Sequence, residues 1–334
     1  MHGKAQHAIT DRAAALLAIL CTAAYEYGMR IWMLAGIAFA VSLAAERISL
    51  FIRRKPFQTD HLEAGISGVV LLMLMPPTVS VSLLIMSCIF AIIIGRQIFG
   101  GKENPVMPAA ACGYCFAMLN NKLQMTLFPA EKSHLPLFQT NSDKLISGVS
   151  DAWNRTGTFS AKPLDWLLGL PNQPIGTCSA VLLVVIALVL ILRRSASGWV
   201  ILPLMGFTVM SSMVFDGMRH PLPAAIGAAL TNQMLFSAVF LYGDPDYAPP
   251  GLAGTLSGVF SAGIIMIFTR VLYVTDAPVM LTILLSPMNI WLRYVMRITA
   301  PAKTHAGSEQ KGESGNHETE TGGTSAMAAQ PDSP

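Results

Sequence analysis

The residues able to do chemistry in this chain are few, and they gather in short polar stretches. "RTGTFSAKPLDWLLG" (155–169) sets the alcohols of Thr156, Thr158 and Ser160 beside the amine of Lys162, between two strongly apolar regions. Cys112 and Cys115 form a C-x-x-C pair, a spacing that puts both sulfurs on one face of a helix. Two thiols with no nearby His and no second pair make an incomplete cluster site. Their neighbours Ala109, Ala110, Ala111 and Gly113 favour close helix packing, with a cluster shared with another protein of a complex as the open alternative. Carboxylates within apolar segments are costly and are candidates for function by default. Glu46 stands beside Arg47 at the end of an apolar run, as an interfacial ion pair would. Asp60 and Glu63 precede another run and fit a favourable helix start, with His61 between them read as interfacial. Asp244 draws more attention, because it lies in "YGDPDYAPPG" (242–251), which has the composition of non-helical backbone. No G-x-G-x-x-G, Walker-type loop or zinc-type His/Cys cluster is present, so nothing points to NADH or ATP binding by this chain.

The elements that must position these groups are membrane helices. The chain has 334 residues, of which 53% are apolar and 12% charged, with a mean hydropathy of +0.52. Soluble domains carry about 25% charged residues, so lipid is the solvent for most of this chain. The net charge of +3 gives no sign of a nucleic-acid partner. The five cysteines have no framework spacing, and no cleavable signal peptide is evident. The apolar runs predict an all-α polytopic protein of about ten spans, with eight to ten as the range. They lie near 13–28, 30–51, 64–83, 81–99, 107–127, 177–193, 197–215, 222–242, 252–271 and 274–296. Pro76-Pro77 cannot continue a helix cheaply and predicts a tight turn.

Basic residues set the orientation. With both termini in the cytoplasm, inward segments hold Arg12, Arg47, Arg53, Arg54, Lys55, Arg96, Arg193, Arg194, Arg293 and Arg297, while short outward loops hold Arg30, Arg219 and Arg270. The expected organisation is a cytoplasmic N-terminus (1–12), a first transmembrane half (13–127), an outward loop (128–176) between spans five and six, a second transmembrane half (177–297) and a polar cytoplasmic tail (298–334) too poor in apolar residues to fold. Two inward segments, "FGGKENPVMP" (99–108) and "YGDPDYAPPG", carry Gly100, Gly101, Asn104, Pro105, Asp244 and Pro245. Irregular backbone at membrane depth needs a protein or cavity cover, and such breaks in corresponding halves mark sites in transporter-like folds. Two ordinary cytoplasmic turns would read the same way.

The order of these pieces carries a resemblance. "GVVLLMLMPPTVS" is followed by "IIIGRQIFGGKENPVMPAAACGY", "LQMT", the loop ending "KPLDWLLG", "PIGTCSAVLL" and "FLYGDPDYAPPGLAG". Together they resemble the RnfD/NqrB family of membrane subunits, from about residue 35 to 297, with the size of the RnfD branch. The resemblance implies a multi-pass subunit of a bacterial inner-membrane Rnf/Nqr-like complex, where other subunits handle ferredoxin and NAD and electron flow drives cation movement. It also implies FMN on the outward loop, linked through its phosphate to the Thr of a D-x-x-[ST]-G-A-T motif that precedes Pro-Leu. Here Pro163-Leu164 puts Lys162 at the acceptor position, and an amine cannot form the phosphoester. Anchoring on Thr156-Gly157 instead leaves Thr158 one position early, with Phe159 at the acceptor position. Thr158 is the candidate for covalent attachment; the expectation is that covalent flavin is absent, or that a flavin binds noncovalently. Such a subunit is no stand-alone enzyme. A cofactor-less structural paralogue and a membrane transporter are the rival readings.

Overall fold

Each predicted apolar run becomes helix, yet only some of these helices can cross a bilayer unaided. The computed structural model describes residues 2–56, 59–101, 104–129, 135–137, 145–156, 172–215 and 221–299. Thr158, Lys162 and the tail beyond Thr299 lie outside the described residues. The first helices are α1 (His2–Tyr27), α2 (Arg30–Ile52), α3 (Glu63–Leu74), α4 (Val81–Ile92), α5 (Ala109–Asn120), α6 (Lys122–Thr126) and α7 (Val149–Thr156). There follow α8 (Ala180–Leu192), α9 (Gly198–Phe215), α10 (Pro221–Leu230), α11 (Met234–Ser237), α12 (Gly251–Arg270) and α13 (Ala277–Thr299). The only sheet among the described residues is a two-stranded antiparallel ladder, β1 (Leu127–Pro129) with β2 (Leu145–Ser147). Residues 1–296 form one compact unit, and of the second unit, 297–334, only the end of α13 is described.

Crossing about 30 Å of hydrocarbon takes about 20 helical residues at 1.5 Å each. Among the described residues, α1, α2, α9, α12 and α13 reach that length with sufficient apolarity. The protein is thus an all-α integral membrane protein whose described residues hold five helices long and apolar enough to span, six if the bent pair 223–242 counts as one span, and several shorter apolar helices.

The shorter ones end where the backbone is forced out of helix. α3 stops at Leu74, and Met75 is extended ahead of Pro76-Pro77, the expected turn. The expected span over 107–127 ends at Asn120; Asn121 leaves the helix and its side chain accepts from the Gln124 amide to start α6. The expected span over 222–242 is also interrupted. Asn232 and Gln233 have φ of +55° and +57°, and the two segments meet at a 55° bend. Asn tolerates the left-handed region better than most residues, which allows the break without glycine.

Close approach rather than hydrophobic drive holds helices together in lipid. α12 lies on α9 through Gly254 and Gly258: a Cβ on Gly258 would fall 2.7 Å from the Val200 carbonyl oxygen. At the Pro76-Pro77 turn, Arg30 is buried rather than sitting in an open loop. Its guanidinium donates to the carbonyls of Pro77 (3.2 Å), Val79 (2.9 Å), Pro136 (3.0 Å) and Leu137 (3.2 Å). Helix α7 is likewise packed into the bundle. Trp153 is fully buried against Gly227, with the Arg270 guanidinium 4.6 Å from its ring centre.

Charged side chains of this bundle are found at both of its ends. Along α2, Arg30 and Glu46 are about 24 Å apart at 1.5 Å per residue.

Candidate functional site

The end of the bundle that holds Glu46 is densely charged. Glu46 is fully buried: His61 Nδ1 lies 2.9 Å from it, Arg96 Nε 3.7 Å, and Gln97 donates to its other oxygen. His61, read from sequence as interfacial, is thereby tied into the network. Glu63 is more than a helix-start residue, since Arg12 lies 3.6 Å from one of its oxygens and Arg96 3.4 Å from the other. Arg12 reaches from α1 to grip Asp244 with two hydrogen bonds of 2.7 and 3.0 Å.

The two Gly/Pro segments meet here. Arg293 of α13 donates to the carbonyls of Pro105 (3.1 Å) and Asp246, joining one segment to the other. Gly101, Asn104 and Pro105 line one small cavity with Glu63, Arg96, Asp246 and Tyr247; Asp244 lines a neighbouring one of about 40 Å³. Gly100 and Gly101 have φ of +110° and +76°, which explains glycine at both positions. Pro245 is exposed. Each segment is preceded by a π turn, Ile93–Gln97 after α4 and Ala238–Tyr242 after α11. Such turns cluster at functional sites, and their recurrence gives the two halves a likeness that the residues alone show only weakly. Burial, and after it the charges of Asp244 and Glu63, pushes the Asp246 carboxyl up to about 7.

The opposite end holds a cavity of about 600 Å³, within the range of small-molecule sites. Met118, Met125, Phe128 and Met280 supply apolar wall; Asn172, Asn232, Gln233 and Asp276 supply polar wall; Lys122 and Arg155 supply cationic groups, Arg155 paired at 3.1 Å with Asp151, which also lines the cavity. Two features of its wall bear on a ligand. Asn172 Oδ1 and Gln233 Oε1 are buried oxygens with no hydrogen-bond donor among the described residues. Of the six described non-glycine residues with positive φ, four line this cavity: Asn172, Asn232, Gln233 and Tyr273. Backbone held in a disfavoured region gathers at functional sites, where surrounding contacts over-determine it. Those contacts are present. Asn154 of α7 and Asn232 exchange two amide hydrogen bonds of 2.9 Å, and the Ser150 hydroxyl accepts from the Asn232 amide at 2.8 Å. Tyr114 donates to Asp276 at 2.7 Å and accepts from Gln233 at 3.3 Å. Burial pushes the Asp276 carboxyl up from its ordinary range.

Arg155 and Asn172 lie on either side of the stretch that carries Thr158 and Lys162, and both line this cavity. The lining therefore suits the FMN that the sequence resemblance implies. Free carbonyl oxygens match the N–H of an isoalloxazine, the methionine and aromatic walls match its ring, and the cationic groups match a phosphate. The C-x-x-C pair has no such fit. Cys112 packs against Gly95, where an added Cβ would come within 2.9 Å of its own. Among the described residues no group of three or more His, Cys, Asp or Glu is placed to hold a metal ion.

Comparison with known proteins gives one family. The model of the NQR2, RnfD, RnfE family matches residues 2–305. The D-type subunit of the ion-translocating oxidoreductase complex of Haemophilus influenzae (strain 86-028NP) is 26% identical over 165 residues, 45% of this chain and 46% of that protein. Its namesakes from Ectopseudomonas mendocina (strain ymp) and Pseudomonas aeruginosa (strain LESB58) are 29% and 30% identical, over 38% and 40% of this chain and 37% and 40% of theirs. The matched stretch thus spans less than half the length of each relative.

Proposed function

We propose that this chain, which belongs to the NQR2, RnfD, RnfE family, is a membrane subunit of an ion-translocating electron-transfer complex and holds a noncovalent flavin in its 600 Å³ cavity. The first part is supported by the relatives, which are named as subunits of an ion-translocating oxidoreductase complex. The observation that carries the second is the pairing of donor-less carbonyls with left-handed backbone around a cavity flanked by Arg155 and Asn172.

The chain sits in the bacterial inner membrane with both termini cytoplasmic, so the charged end faces inward and the cavity outward. The basic residues agree, since Arg12, Arg53, Arg96 and Arg293 belong to the charged end, with Arg30 and Arg270 at the other. Gln233 and Asn172 would hold the donor edge of the flavin ring, and Lys122 and Arg155 its phosphate. Bound there, FMN supplies one- and two-electron transfer. The chain's own part is position and electrostatics: Asn154, Asn232 and Trp153 fix the wall, and apolar side chains exclude water from the ring. Partner subunits supply the ferredoxin- and NAD-facing steps, and the redox state is coupled to cation movement across the membrane.

The test is the flavin content of the natively purified chain, with mass spectrometry of the 145–175 peptide. Stoichiometric FMN released on denaturation, with an unmodified peptide, is the expected result. An FMN adduct on Thr158 overturns the noncovalent reading. A flavin-free chain that still assembles with redox subunits favours the structural paralogue.

A further inference from the structure

The cavity wall contains a short directional relay. Asp276, as a carboxylate, only accepts hydrogen bonds. It receives the Tyr114 hydroxyl at 2.7 Å on one oxygen and the Thr275 hydroxyl at 3.3 Å on the other. Tyr114 has a single O–H proton and gives it to Asp276, so its oxygen can only accept. The Gln233 amide facing it must therefore present its NH₂, as it does at 3.3 Å. While Asp276 is ionised, that fixes the rotation of the amide and leaves Oε1 as the free group. Gln233 is 5% exposed, and Oε1 has no donor among the described residues. A buried acceptor without a donor is costly, and Gln233 also sits at φ +57°. Filling space would require neither cost: a leucine fills a similar volume and leaves no orphaned oxygen.

We propose that Gln233 Oε1 is the specificity-determining acceptor of this cavity, reading an N–H edge of the ligand, with Tyr114 and Asp276 as the positioning residues that keep it an acceptor. The inference rests on the flavin reading above for the identity of the ligand, whose ring carries one such N–H, at N3. Asn172 Oδ1 offers a second acceptor in the same cavity.

The experiment uses the full-length, flavin-stripped chain in lipid nanodiscs and two probes, riboflavin and N3-methylriboflavin, with binding followed by quenching of flavin fluorescence. The wild-type chain is expected to prefer riboflavin by about tenfold or more, because the methyl leaves Oε1 unpaired. Gln233→Leu brings the ratio to about one through loss of that acceptor. Tyr114→Phe keeps the ring but frees the amide to rotate, and lowers the ratio; it carries the test if the leucine variant does not fold. A merely structural role for these residues would change both affinities together and leave the ratio intact. Equal wild-type binding of the two probes, or an unchanged ratio in both variants, overturns this inference and leaves flavin binding standing. Failure of the wild-type chain to bind either probe overturns the flavin reading, and this inference with it.

Discussion

At the charged end, Arg12 commits two nitrogens to Asp244, and Glu46 is held by His61, Arg96 and Gln97 together. At the cavity end, Gln233 and Asn172 keep buried oxygens without donors among the described residues, on backbone twisted into the left-handed region. The first arrangement answers its buried charges inside the chain. Such a network fixes the relative places of α1, α3 and the two Gly/Pro segments. The second leaves part of its hydrogen bonding undone and is rigidly braced all the same, as expected of a wall completed by a ligand. Polar burial alone therefore does not mark a binding site. At the charged end Arg96 Nε also lacks a hydrogen bond but keeps Glu46 3.7 Å away, whereas the two cavity oxygens face no donor among the described residues.

Breaking the charged end should have the largest effect. Removing one partner of a buried ion pair costs about 3–5 kcal/mol, so Arg12→Ala should sharply lower thermal stability in detergent. Arg12→Met with Asp244→Leu should recover part of that loss, because Asp244 no longer leaves a charge without its partner and Glu63 keeps Arg96. If the double variant is as unstable as the single one, the pair is not what holds these segments.

Next comes pH. Asp246 rises from 3.8 to about 7 on folding. Between those values the folded chain keeps a proton that the unfolded chain has released, so stability should fall as pH increases through this window. Asp246→Asn should flatten that part of the melting-temperature profile; an unchanged slope would place the titration elsewhere.

At the cavity end the strain itself is the target. Tyr273 has φ +56° and is 51% exposed, so Tyr273→Gly loses little packing and should stabilise the chain by up to about 1 kcal/mol. The same change should weaken flavin binding, which equilibrium titration would detect. Smallest of all, Arg155→Ala removes an exposed i,i+4 pair with Asp151 (3.1 Å) and should shift stability by less than about 0.5 kcal/mol, with a larger effect on FMN than on riboflavin.

The membrane character, the apolar runs and the Pro76-Pro77 turn were legible because hydropathy and proline act locally. Asp244 and Asn104 stood out through the Gly and Pro around them, but their meeting beside Glu63 did not, since it depends on Arg293 from the far end of the chain. Glu46 illustrates the limit: its sequence neighbour is Arg47, whereas its structural partners come from His61, Arg96 and Gln97. The interrupted span at Thr231–Gln233 left only a faint trace, a polar Thr-Asn-Gln inside an apolar run. Asp276 left none, because its carboxylate is engaged by Tyr114, far from it in sequence, as well as by its neighbour Thr275. Of the stretch 155–162, Arg155 lines the cavity, and Thr158 and Lys162 lie outside the described residues.

If one end holds the fold and the other holds the cofactor, FMN should act on stability through the cavity alone. Thermal unfolding with and without added FMN reads this out, since a ligand at about a hundredfold excess over its Kd stabilises by about 2.7 kcal/mol. FMN should raise the melting temperature of the wild-type chain and of the Arg12→Met/Asp244→Leu variant alike, and should raise it far less in Gln233→Leu. A wild-type chain indifferent to FMN, or a response lost at the charged end and kept in Gln233→Leu, would refute this division of labour.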